Sequence, residues 1–203
     1  MNAKHTARAP LRTAGFSTVE LLIVVAIGFI MAAVAIPQAL GAYRTYKLND
    51  AATRVAGILK FTRMEAIRQN KPVTCRGQAA AGGGTQIWAD EPAPGFPNGN
   101  FAPDPTEKQI LLGSGGNTVA MGTVPNLAAI RGNLGVAAFT DATAGNGIQF
   151  DQRGAVNPVG VFNIICIQNT AVPTAGYRAV IVMPSGAVQT WSADNAGNWT
   201  QVN

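Results

Sequence analysis

Residues 16–36, FSTVELLIVVAIGFIMAAVAI, form an apolar run of 21 residues that contains a single ionisable side chain, Glu20. At about 1.5 Å of rise per residue, a helix of this length reaches about 30 Å, the thickness of a bilayer's hydrocarbon core. A membrane helix is therefore expected here, and its acid needs a reason. A carboxylate in a membrane costs about 2.5 kcal/mol or more and persists mainly where a partner or water meets it. Two readings follow: Glu20 snorkels or binds water near the interface, or a partner meets it.

The flank before this run carries Lys4, Arg8 and Arg12 and no acid, the pattern of a cytoplasmic side. A secretory signal would have a shorter apolar core followed by a small-x-small cleavage site, whereas Ala32, Ala33 and Ala35 lead straight into a further helical pattern. Gly15 lies at the boundary between the polar flank and the apolar run, within reach of a peptidase at the cytoplasmic face. A cut after it would leave Phe16 as the new N-terminus, with Glu20 one helical turn inside, about 6 Å away along the axis.

The octapeptide GFSTVELL, preceded by a short basic leader and followed by an apolar stretch and Pro37, resembles the class III leader and N-terminal helix of type IV pilins and type II secretion pseudopilins. The resemblance implies removal of residues 1–15 by a prepilin peptidase, N-methylation of Phe16, and assembly through Glu20 and the helix that contains Pro37. It also implies the partner of the buried acid, the N-terminal amine of a neighbouring subunit. Pairing two charges that would each be costly alone would set one subunit in register against the next.

Beyond Pro37 the pattern becomes amphipathic. Ala52, Val55, Leu59, Thr62 and Ala66 recur at alternating spacings of three and four, with Ile58 and Ile67 alongside and Lys60, Arg63 and Arg68 mostly on the other side. One long helix over about residues 17–69 is expected, kinked or locally melted at Pro37 and stopped by Asn70, Lys71 and Pro72. Residues 37–70 would continue the membrane helix into a head formed by residues 71–203.

The head is rich in Gly, Pro, Asn and Asp, and its apolar segments are short, as antiparallel β structure requires. Strands are expected at VTC from Val73, TQIWAD from Thr85, KQILLG from Lys108, LGVAAFT from Leu134, GIQFD from Gly147, VGVFNIICIQ from Val159, YRAVIVM from Tyr177 and AVQTW from Ala187. The segment VGVFNIICIQ is apolar on both faces and should be a central strand covered by a sheet or by the helix. Outside TQIWAD, the region 79–105 has little periodicity and reads as a surface excursion, a loop insertion that either binds a partner or is merely tolerated. The expected fold class is α+β: a long N-terminal helix packed on an antiparallel, mostly β head.

A second resemblance is narrower. LKFTRMEAIRQNKPVTC (residues 59–75), GIQFDQRGAV (147–156), IIC and YRAVIVMPSGAV (177–188) occur in the order of the GspH/FimT group of minor pilins and pseudopilins. That group implies the pilin fold and a structural role. The implied partners are sibling pilins or pseudopilins, the prepilin peptidase and an inner-membrane assembly platform, with the head in the periplasm. Relatives that bind DNA during transformation carry a Gly-Arg-rich motif in the C-terminal strand region. Here Gly186 is followed by Ala187, and no arginine follows Arg178.

The remaining chemistry is sparse. The sole histidine, His5, lies in the leader, so no Ser/His or Cys/His arrangement would survive its removal. Two isolated cysteines, Cys75 and Cys166, make no zinc site. In an exported head they could form a disulfide, closing a loop of about 90 residues and contributing about 4.5 kcal/mol in the chain-entropy model; the alternative is two buried thiols. No catalytic residue, metal or cofactor is expected. Asp151 near Arg153 reads as a turn and Glu107 beside Lys108 as a surface pair. Gly82, Gly83 and Gly84 lack a phosphate-loop frame, the triplet from Asn198 to Thr200 is a chance sequon, and Trp88, Trp191 and Trp199 fill the core or an edge. Residues 44–76 hold eight basic residues against two acids, which is either a solvated helix face or, on the rival reading, a surface that captures DNA.

Overall fold

The computed structural model describes residues 15–80, 84–93, 95, 99–113, 119–123, 125–142, 147–172 and 175–202. The leader, apart from Gly15, lies outside the described residues, as do Gly82 and Gly83. The chain divides into two compact units, Met1–Leu40 and Gly41–Asn203.

Helix α1, Thr18–Gln69, runs for 52 residues and belongs to both units. Its helical hydrogen-bonding pattern continues through Pro37, so the local melting expected there is not found. Proline removes only the N–H that would reach the carbonyl of Ala33, and the turns on either side hold. The expected stripe is buried within the second unit: Ala52, Val55, Leu59, Thr62 and Ala66 are all at most 1% exposed. Ile58 joins them, whereas Ile67 is exposed.

Among the described residues, eleven short strands follow in chain order. β1 (Val73–Ala79), β2 (Thr85–Asp90), β3 (Gln109–Leu112), β6 (Ile148–Phe150) and β7 (Val156–Asn157) make one antiparallel sheet in the order β3-β2-β1-β6-β7. The second sheet contains β4 (Val119–Met121), β8 (Asn163–Asn169), β9 (Tyr177–Val182), β10 (Val188–Ala193) and β11 (Trp199–Gln201) in the order β11-β10-β9-β8-β4. The two-residue β5 (Thr140–Asp141) pairs with β8 in parallel, the one departure from antiparallel pairing among the described strands.

Two apolar clusters result. The larger joins the α1 stripe to Val73, Cys75, Ile87 and Phe150 of the first sheet and to Ile165, Ile167, Val180 and Val182 of the second. Side chains alternate along a strand, so Ile164, Cys166, Ala179 and Ile181 face the opposite side of the second sheet. There they meet Trp191, Trp199 and Ile130. Strand β8 is thus covered on both faces, as its unbroken apolar sequence requires.

The second cover is a helix the sequence did not announce. α2 (Leu127–Leu134) presents Leu127, Ile130 and Leu134 to the smaller cluster and stops at Gly135, which takes the left-handed conformation at φ 66°. The strand expected from Leu134 is therefore absent apart from β5, because its apolar residues complete a helix and its cap. The strand expected from Val159 begins only at Asn163, and Val159 is 82% exposed.

The cysteines take the second of the two alternatives. No bond joins Cys75 to Cys166: both are buried, but in different clusters, with Cys166 on the face of β8 that points away from Cys75. Two thiols on opposite sides of a sheet cannot meet the Cβ separation of about 3.8 Å that a disulfide needs. Burial pushes the Cys75 thiol up to about 12, partly opposed by its hydrogen bond with Thr62, so it is chemically inert at neutral pH.

Candidate functional site

The N-terminal part of α1 differs from the rest in having no packing partner among the described residues. Its most apolar 18-residue window has a mean hydropathy of 2.8 and no buried residue. Phe16, Leu22, Phe29, Ile30 and Met31 are each at least two-thirds exposed. A Cβ added at Gly28 would touch nothing within 4 Å. In water such a surface would be a contiguous exposed apolar patch, and large patches of this kind mark a membrane or protein interface.

Glu20 lies in the first turn of this helix. That position suits an anion, because the unpaired N–H groups of a helix start carry partial positive charge. It is exposed, and no ion pair reaches it among the described residues. Gly15 and Phe16 precede the helix outside regular secondary structure, with Phe16 79% exposed. The chain therefore brings Gly15, Phe16 and Glu20 together at one helix end. Pro37 lies 17 residues beyond Glu20 on the same helix, about 25 Å along the axis.

In the head, the strongest polar node is one that the sequence did not single out. Asp90, at the end of β2, is fully buried. It pairs with Arg76 Nε and accepts the backbone N–H groups of Asn100 and Phe101. The strand register explains the pairing: Thr74 lies opposite Asp90 and Arg76 opposite Trp88, so Arg76 and Asp90 are diagonal neighbours on one face. The guanidinium also lies 3.8 Å from the centre of the Phe101 ring. A Cβ at Gly99 would overlap the Asp90 carboxylate, and its φ of 86° also favours glycine. One carboxylate thus ties the excursion after β2 to the sheet.

The other acids are also structural. Glu107 accepts the N–H groups of Glu91 and Asp104, not the ammonium of Lys108, and burial raises its pKa. Asp151 closes a turn by accepting the N–H groups of Arg153 and Ala155. Arg178 reaches from β9 to the carboxamide of Asn49 on α1, and burial lowers its pKa. Trp88, Trp191 and Trp199 are all buried. None of these groups forms a nucleophile-and-base arrangement, and no cluster of three metal-ligating side chains occurs among the described residues.

An apolar helix of membrane-spanning length, continuous with a helix that packs on a two-sheet head, is the architecture of a pilin-like protein. A family model described as type II transport protein GspH matches residues 51–186, well over half of the chain, and the protein belongs to that family. The matched segment starts within the buried half of α1 and ends in the turn after β9, so it covers the head up to β9 and includes neither the Glu20 segment nor β10 and β11. Neither a curated protein nor a solved structure matches the chain. GspH proteins are pseudopilins, structural in role, and together with the apolar helix this membership points to a membrane-anchored subunit that associates with other pseudopilins or pilins.

Proposed function

We propose that this protein is a minor pilin or pseudopilin that is inserted in the bacterial inner membrane with its head in the periplasm. A prepilin peptidase cuts it between Gly15 and Phe16, and Phe16 is then N-methylated. An assembly platform next moves it from the membrane into a helical filament, where residues 16–36 occupy the core. The observation that carries this reading is the lone carboxylate, Glu20, on a half-helix whose apolar surface none of the described residues covers. In the filament that surface is covered by sibling helices, and the acid meets the amine of a neighbour's Phe16.

Mass spectrometry of the chain extracted from membranes tests the processing step. The expected product starts at Phe16 and carries one added methyl group. A chain that retains Met1 in cells containing the peptidase would contradict the proposal.

The rival reading, capture of DNA by the basic segment 44–76, has less support. Arg54 pairs with Asp50, Arg68 with Glu65 and Arg76 with Asp90, while Arg63 donates to the carbonyl of Gly154. Four of the cations are thus engaged within the chain. Duplex binding measured at two salt concentrations discriminates, because phosphate contacts make affinity fall steeply with salt.

A further inference from the structure

Just after the apolar segment, α1 carries two tyrosines and two cations within one and a half turns: Tyr43, Arg44, Tyr46 and Lys47. At about 100° per residue they spread over nearly half of the helix circumference. Tyr43 and Tyr46 are 54% and 67% exposed, although each has a large apolar ring. Lys47 Nζ lies 4.7 Å from the centre of the Tyr43 ring, which holds the ammonium beside it. One turn further on, Asp50 is already paired with Arg54 at 2.9 Å. Among the described residues no carboxylate neutralises Arg44 or Lys47. Tyr43, Tyr46 and Lys47 form one wall of a cleft of about 260 Å³ in the head, with Leu111 and Leu112 on the other side.

We propose that residues 43–47 form a collar that binds the headgroups of anionic phospholipids in the leaflet where the helix leaves the bilayer. The inference rests on the membrane-anchored reading above and adds a ligand to it. Two observations select a lipid as the occupant. The collar begins seven residues beyond Ile36 on the same helix, about 10 Å of helical rise, a gap that the long Lys and Arg stems can reach back across toward the headgroups. Its chemistry is also that of an interfacial anchor, with amphipathic rings at the boundary and cations placed for phosphate. Tyrosine rings exposed to this degree gain from the boundary layer, and Lys and Arg keep their stems along apolar surface while their heads reach phosphate oxygen. Before assembly the collar would fix the depth and rotation of the subunit. On extraction these contacts would be given up.

The test uses the full chain in nanodiscs made either of phosphatidylcholine alone or with phosphatidylglycerol added, followed by native mass spectrometry of the lipids retained on release. The wild-type chain should retain phosphatidylglycerol in preference to phosphatidylcholine. Arg44→Gln with Lys47→Gln should reduce that preference by about fivefold per charge removed. Lys60→Gln, an exposed cation further along the same helix, should leave it unchanged. Tryptophan emission from the three buried indoles checks that each variant keeps a folded head. A folded chain that stays in the bilayer with no preference for phosphatidylglycerol overturns the collar and leaves the anchoring intact. So does a preference that survives the double substitution. A chain that fails to remain in either bilayer overturns the anchoring, and the collar with it.

Discussion

Residues 18–40 and 41–69 belong to one uninterrupted helix, yet Leu22 is 68% exposed and Leu59 is fully buried. Local conformation is the same in both halves; what differs is the environment each is built for. In the second half, apolar residues return every three or four positions and the opposite face is charged, so one stripe packs on the two sheets. The first half is apolar all round and packs on none of the described residues. Most helical stability in proteins comes from burying a face, so the first half must draw its stability from lipid or from neighbouring subunits.

Matched substitutions sharpen this contrast, and the largest effect is expected from core truncation. Leu59→Ala should destabilise the head by about 2–5 kcal/mol through lost burial and a residual cavity. Leu22→Ala should leave head unfolding unchanged. Denaturant titrations of the full chain in detergent, followed by tryptophan emission, measure both, since all three tryptophans lie in the head. Equal losses from the two variants would break the comparison.

A smaller gain is expected at glycine. Gly57 is exposed in the helix interior, and a Cβ there would meet nothing within 4 Å. Gly57→Ala should therefore stabilise the head by about 1 kcal/mol. Gly28 has the same empty surroundings, and Gly28→Ala should not move the head's unfolding midpoint. Any change on filament incorporation would then report a close approach by another helix.

The smallest effect is electrostatic. The hydrogen bond from Arg68 holds the Glu65 carboxyl below its ordinary value of 4.5, with help from Gln69 and against burial. A depressed acid contributes stability that is fully present above the unfolded value and lost as pH falls through the folded one. Replacing Glu65 with Gln should therefore flatten the part of the acid-induced loss that begins below about pH 4.5. Unfolding midpoints between about pH 3 and 6 check this, and an acid limb as steep as that of the wild type would remove Glu65 from the account.

The same contrast explains how much of the molecule was legible in its sequence. The α1 stripe was plain because five positions repeat a helical spacing, and β2 was found to the residue because turn-forming residues bound it. Strands β9 and β10 were readable for the same reason. α2 was missed because LAAIRGNL is short and flows into the apolar LGVAAF, so Leu134 looked like the start of a strand and not the last turn of a helix. The three-residue β11 is too short for a periodic signal, and its tryptophan sat inside a triplet set aside as a chance sequon. Cys75 and Cys166 stayed open between a disulfide and two buried thiols because sequence separation says nothing about which face of a sheet a thiol occupies. Asp90 was invisible as a node because its partners Arg76, Asn100 and Phe101 come together only through strand register. By contrast, the proposal for Gly15, Phe16 and Glu20 stands on the sequence, where a membrane makes one carboxylate conspicuous.

The central claim is that Glu20 is retained because a cation from another subunit answers it. Replacing Glu20 with Ala, and separately with Gln, and measuring the fraction of subunits recovered in sheared filaments or cross-linked pseudopili tests it most directly, with membrane insertion and leader removal monitored in parallel. Both variants should insert and be processed normally, while their incorporation falls by at least about tenfold, the loss that corresponds to about 1.4 kcal/mol of subunit pairing. Incorporation at the wild-type level by the Ala variant would contradict the account.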